Sequence, residues 1–113
     1  MITVYHNPRC TKSRECLAFL ENSNKEIEVI KYLETKFTVK TLSEIIKKLN
    51  IQPIELVRIK EKIWIENFKG KMLSDAEIIN AMVQNPSLIE RPIAVYKDKA
   101  IVARPLEKIN EIL

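Results

Sequence analysis

Glycine is almost missing from this 113-residue chain, where Gly70 is the only one. The dinucleotide-binding fingerprint and the phosphate-binding P-loop each need several glycines at fixed offsets, so nucleotide chemistry through either motif is excluded. Cysteine and histidine are nearly as scarce. Two cysteines, Cys10 and Cys16, and one histidine, His6, cannot make a four-cysteine zinc site or one of paired cysteines and paired histidines. No carboxylates are placed to complete a mixed site, so no structural metal is expected. The cysteines are not a CxxC pair. Six positions apart on a helix means about 240° of rotation and about 9 Å of rise, too far for a disulfide without backbone movement. Long apolar runs are absent too: Ile93-Ala94-Val95-Tyr96 is far below the roughly 18 residues of a membrane-spanning helix. Met1-Ile2-Thr3-Val4 lacks the basic start of a signal peptide. The expectation is a soluble, cytoplasmic protein.

What is present is an ordinary globular mixture, 46% hydrophobic and 30% charged, at about one domain's length. Nineteen Lys and Arg against fifteen Asp and Glu leave a net charge of +4. No basic block is long enough for a nucleic-acid-binding tail, so the charge hints only weakly at anions, and no direct nucleic-acid contact is expected. A monomer is the expected state.

The order of patterns along the chain is βαβ, helices, ββα. Ile2-Thr3-Val4-Tyr5 alternates apolar and polar β-formers, and His6-Asn7-Pro8-Arg9 ends it before a helical pattern carrying Leu17, Phe19 and Leu20. Asn22-Ser23-Asn24 breaks that helix, and Ile27 and Val29 alternating with Glu26 and Glu28 predict a second strand through about Lys31. From Thr38, the spacing of Leu42, Ile45, Ile46 and Leu49 predicts an amphipathic helix stopped near Asn50. Pro53 suits a helical first turn before Leu56 and Val57, and Ser74-Asp75-Ala76-Glu77 is a capping-box sequence leading into Ile78, Ile79, Met82 and Val83. Pro92 to Tyr96 and Ala100 to Ala103 read as a hairpin joined by Lys97-Asp98-Lys99, and Pro105 opens a last helix with Leu106, Ile109 and Leu113 inward. The expected architecture is α/β: one thioredoxin-like domain over 1–113 with a mixed four-stranded sheet and a helical insertion at about 38–85. A fold analogy does not by itself give function.

Chemistry concentrates at Cys10. It follows a strand and a proline-containing loop where the first helix begins, so unpaired N–H groups and the positive end of the helix dipole face its sulfur. Arg9, Lys12 and Arg14 lie within four positions, and Ser13 can donate a hydrogen bond, which together favour thiolate. The competing reading is a buried structural cysteine, against which stands the lack of apolar neighbours apart from Pro8 and Cys16 over positions 6–16. Cys16, beside Leu17 and Phe19, reads as a small core residue. His6 is a candidate base or loop-orienting group, with simple hydrogen bonding to backbone as the alternative. Arg58, Arg91 and Arg104 lie at element ends or beside prolines and are candidate anion ligands, but by spacing alone the first reading of each is a solvated surface charge. Arg91-Pro92 is a plausible cis bond at a strand start.

Tyr5-His6-Asn7-Pro8-Arg9-Cys10-Thr11-Lys12-Ser13-Arg14, Tyr32-Leu33-Glu34-Thr35, Glu90-Arg91-Pro92-Ile93 and Ala103-Arg104-Pro105 together resemble the glutaredoxin-dependent arsenate reductase family, in its order and with its spacing. The resemblance implies that Cys10 attacks arsenate to form a covalent adduct. It further implies that glutathione, as co-substrate, reduces it, and that glutaredoxin resolves the mixed disulfide, with no tightly bound cofactor. It also implies that Arg58, Arg91 and Arg104 hold the oxyanion, with His6, Ser13, Arg14 and Pro92 supporting the site. Where family members often carry Ala before the cysteine and Gly-Thr after it, this chain has Arg9 and Thr11-Lys12, a more basic mouth. Two other readings stay open. One is a different glutathione-dependent disulfide or peroxide reductase; the other is a module like the related RNA-polymerase-binding transcription regulators. Those regulators switch through a CxxC, and the residue three after Cys10 is Ser13.

Overall fold

A computed structural model describes residues 1–113. The chain parts into two compact units, Met1–Thr35 with Arg91–Leu113, and Lys36–Glu90. The expected helical stretch lies within the second.

The first unit contains β1 (Ile2–Tyr5), α1 (Thr11–Glu21), β2 (Ile27–Ile30), β3 (Ile93–Tyr96), β4 (Lys99–Val102) and a terminal 3-10 helix (Leu106–Glu111). Its sheet runs β2-β1-β3-β4, with β1 parallel to β2 and the other pairs antiparallel. This is the thioredoxin-like arrangement. Period-2 alternation on β1 sends Ile2 and Val4 to one face, where they pack with Ala94 of β3, Cys16 and Leu20 of α1, and Ile109 and Ile112 of the terminal helix. Each fully buried Ile, Leu or Val side chain is worth about 1.5–3 kcal/mol relative to an exposed one. That burial fixes α1 against the sheet and with it the loop between Tyr5 and Thr11.

Two details of this unit differ from the sequence expectation. The hairpin loop is Lys97-Asp98 alone, because Lys97 takes a left-handed φ of 58° and Lys99 already pairs with Tyr96. The last helix is 3-10 and not α, so its inward positions fall three apart, at Leu106, Ile109 and Ile112. Ile112 is therefore buried, and Leu113 is 42% exposed where it was expected inside.

In the second unit, α2 (Val39–Leu49) begins at Thr38, whose Oγ1 accepts from the Thr41 N–H at 3.0 Å, and stops at left-handed Asn50. Pro53–Leu56 is a single 3-10 turn, shorter than a helix proper. Next come α3 (Lys62–Asn67) and α4 (Asp75–Gln84). The Ser74–Glu77 capping box is formed in both directions, at 3.2 and 2.9 Å, and α4 packs on α2. The short α3 leaves no periodic signal, since Ile63 and Ile65 are exposed and only Trp64 is buried, stacked on Phe68. The lone glycine follows it at φ 81°, a conformation that costs a side-chain-bearing residue.

Candidate active site

Cys10 is the N-cap of α1, with extended backbone (φ −96°, ψ 123°) and no side-chain cap on the helix. The first-turn N–H groups are therefore left to the cysteine sulfur. Its own N–H donates to the Asn7 carbonyl at 3.0 Å, closing a turn over 7–10. Cys10 as a residue is only 9% exposed. Burial pushes its pKa up, yet the net shift is downward. The Ser13 N–H, the Arg91 guanidinium through a hydrogen bond and its charge, and the Lys12 N–H outweigh the desolvation.

The cation that matters is not one of those nearest in sequence. The sequence points to Arg9, Lys12 and Arg14; the structure gives the part to Arg91. Lys12 is exposed and pairs loosely with Glu15 at 3.9 Å, so its contribution to the thiol is its backbone N–H. Arg14 reaches back to the Pro8 carbonyl (3.0 Å) and Thr11 Oγ1 (3.2 Å), bracing the loop from outside. Arg91 arrives through sheet register. Tyr5 stands opposite Ile93 in an antiparallel pair, so the residues preceding Ile93 run beside those following Tyr5. The Arg91-Pro92 bond is cis, as is Arg104-Pro105. Pro92 is fully buried, and its carbonyl accepts from the Ala103 N–H at 3.0 Å. The Nε of Arg91 is buried without a hydrogen-bond partner.

Behind the thiol lies a polar pair. His6 Nδ1 is 2.8 Å from Ser13 Oγ, which also accepts the Asn7 N–H at 3.0 Å; both side chains are buried. Burial first, then the charges of Lys31 and Arg14, hold the imidazole pKa below 6.5 against an opposing hydrogen bond to the Ser13 backbone. Ser13 therefore serves Cys10 through its backbone N–H, while its hydroxyl holds the loop. Cys16 is fully buried in the core, and desolvation raises its thiol pKa to about 11.

Of the three arginines, Arg91 acts on the Cys10 thiol, by a hydrogen bond and by its charge. Arg104 is exposed just beyond β4. Arg58 lies in the other unit, where its Nη1 donates to Glu61 Oε1 at 3.0 Å and to the Ser87 carbonyl at 3.2 Å. Sequence reasoning missed Lys31, which follows β2 and bears on His6, and a cavity of about 510 Å³ lined by Asn7, Pro8, Arg9, Lys31, Leu33 and Glu34. Only the parallel pairing of β1 with β2 brings those two segments together.

The ArsC family profile matches residues 5–112. An uncharacterised protein of Escherichia coli is 45% identical across 99% of this chain and 96% of its own length. An arsenate reductase of Haemophilus influenzae is 40% identical across 99% of this chain and 98% of its own. The solved structure of an arsenate reductase from Vibrio cholerae superimposes with a TM-score of 0.94 at 43% identity, covering 99% of this chain and 97% of that one.

Proposed function

The chain belongs to the ArsC family, and from that premise we propose that it is a thiol-dependent oxidoreductase that reduces arsenate to arsenite, with Cys10 as nucleophile. The observation that carries the reading is the meeting of a thiol of lowered pKa with a half-buried arginine whose buried Nε lacks an acceptor. A tetrahedral oxyanion supplies that acceptor, and a guanidinium fork binds it with charge-assisted hydrogen bonds.

The Cys10 thiolate attacks arsenic; an S–As bond forms and an As–O bond breaks, the oxygen leaving as water with protons from solvent. The thiolate of glutathione then attacks the Cys10 sulfur. An S–S bond forms, the S–As bond breaks, and its electron pair stays on arsenic, which departs as arsenite. Glutaredoxin reduces the remaining mixed disulfide. Glutathione is thus a consumed co-substrate, and no bound cofactor takes part. An external thiol suits this chain because Cys16 is buried and its pKa is raised to about 11. Arg58 and Arg104, by their positions in the family pattern, join Arg91 as oxyanion ligands, with His6, Ser13, Arg14 and Pro92 shaping the loop and strand that present Cys10. The protein acts as a monomer in the cytoplasm in this reading.

Arsenite formation measured with glutathione and glutaredoxin, and again with thioredoxin in place of both, tests the proposal. Turnover in the first arm that Cys10→Ser abolishes is expected. A wild-type protein that makes no arsenite overturns the arsenate reading, and turnover only in the thioredoxin arm overturns the choice of reductant.

A further inference from the structure

Resting on the reading that glutathione is the reductant, we infer that the cavity lined by Asn7, Pro8, Arg9, Lys31, Leu33 and Glu34 binds the peptide of that thiol and aims its sulfur at Cys10. The cavity lies within the first unit, at the carboxyl ends of the parallel strands β1 and β2, where α/β sheets commonly take their ligands. Its volume of about 510 Å³ falls within the range of small-molecule sites.

Both walls are fixed in advance. On one side the Asn7 N–H donates to Ser13 Oγ, Asn7 Oδ1 accepts from the Arg9 N–H at 3.0 Å, and the Asn7 carbonyl accepts from the Cys10 N–H. On the other, the Lys31 carbonyl accepts from the Glu34 and Thr35 N–H groups at 3.0 and 2.9 Å, and the His6 N–H joins the two sides through the Ile30 carbonyl at 2.8 Å. Preorganised walls cost little to order on binding.

The lining matches the ligand's charges. Glutathione carries two carboxylates and one ammonium; Arg9 and Lys31 offer two cations and Glu34 one anion. None of these three takes part in the ion pairs the protein makes, which join Lys12 to Glu15, Arg58 to Glu61 and Lys62 to Glu66. Pro8 and Leu33 supply apolar surface for the peptide's methylenes. Reach also fits. An extended tripeptide spans about 10 Å, with its thiol on the central residue, and the ends of a closed β-turn such as 7–10 lie within roughly 7 Å.

The test uses thiol–disulfide exchange without arsenic. The Cys10 thiolate attacks oxidised glutathione, forming the mixed disulfide and releasing one glutathione thiolate, and the same reaction is run with the neutral bis(2-hydroxyethyl) disulfide. The ratio of the two rates cancels changes in Cys10 reactivity. We expect Lys31→Glu to lower that ratio by about tenfold or more, as loss and reversal of a charge-assisted contact would. Leu33→Trp, which fills the cavity without changing charge, should lower it too. An unchanged ratio in either variant overturns the proposal: in the first, no carboxylate meets Lys31, and in the second, a long-range field and not the cavity selects the disulfide. A normal ratio with reduced turnover only when glutaredoxin is present assigns the surface to the protein partner and also overturns it. Loss of the arsenate reading alone leaves this ratio untouched, so the two failures are distinguishable.

Discussion

His6 Nδ1 and Ser13 Oγ face each other at 2.8 Å with neither side chain open to solvent. Ser13 Oγ already accepts the Asn7 N–H, so its own proton is free to go to Nδ1. When the serine donates, the imidazole is neutral with its proton on Nε2; a second lone pair on Oγ lets Nδ1–H donate in the other tautomer. Burial first, and then the charges of Lys31 and Arg14, disfavour the doubly protonated ring.

A pH dependence of stability follows. The folded His6 pKa lies below 6.5, so between that lower value and 6.5 the unfolded chain binds more protons. Stability therefore rises with pH across this window, is fully present above it, and is lost as pH falls through it. Urea denaturation at a series of pH values should show this slope in the wild type. His6→Asn, which keeps an acceptor near the Nδ1 position, should flatten it. Equal slopes in the two proteins would rule out His6 as its source.

Alkylation rate against pH separates the cations around Cys10. Arg91 lowers the thiol pKa by donating to the sulfur and by its charge, so Arg91→Ala should move the midpoint clearly upward. Arg9→Ala should move it far less, because an exposed side chain is screened by water and salt. A larger shift from Arg9→Ala than from Arg91→Ala would contradict this account. The depressed thiol also adds stability that is complete at alkaline pH, above the unfolded thiol's value, and is lost as pH falls through the folded one.

These contrasts mark where the sequence was legible. Short-range signals read through: β1 and β2 from alternation, the Cys10 N-cap from strand, loop and helix in succession, and α2 and α4 from period and caps. The distinction between 3-10 and α at the C-terminus was not readable, because Leu106 and Ile109 satisfy both periods and only packing chooses Ile112 over Leu113. Arg91 could be proposed as an anion ligand from its place before Pro92, but its hydrogen bond to the thiol depends on Tyr5 pairing with Ile93. A pairing between residues so distant in sequence leaves no local trace. Conversely, Arg9, Lys12 and Arg14 look decisive when only sequence distance is counted, and solvent removes most of their effect.

Cys16 supplies an independent check on the division of labour between the thiols. Its sulfur is fully buried among Ile2, Val4 and Leu20, and its pKa of about 11 leaves almost no thiolate at neutral pH. One equivalent of alkylating agent per native chain is expected near neutrality, and two in denaturant. Cys16→Ser places a hydroxyl in the apolar core and should cost about 1–3 kcal/mol, read by denaturant midpoint, unless the hydroxyl finds a backbone acceptor. Arsenate turnover should survive in the folded variant. Its loss there would restore a resolving role to Cys16.

The oxyanion contact itself is testable through Arg91. A buried guanidinium N–H without an acceptor costs about 1–3 kcal/mol in the free protein, and Arg91 Nε is in that position. An oxyanion bound beside Cys10 accepts this bond and removes the cost, so arsenate should raise the melting temperature. Sulfate and phosphate, with the same tetrahedral acceptors, should do so more weakly. Lysine at this position keeps the positive charge that favours thiolate but loses the planar fork and its Nε donor. Arg91→Lys should therefore move the Cys10 alkylation midpoint upward by less than Arg91→Ala does, while abolishing most of the anion-induced stabilisation. Where the same contact also holds the charge that develops during attack, its removal costs on the order of 10²-fold in rate. Arsenate turnover in Arg91→Lys should fall by about that factor at saturating glutathione and glutaredoxin. A variant with a shifted thiol midpoint but normal anion stabilisation would reverse the assignment, making Arg91 a charge for the thiol and not a ligand for the oxyanion.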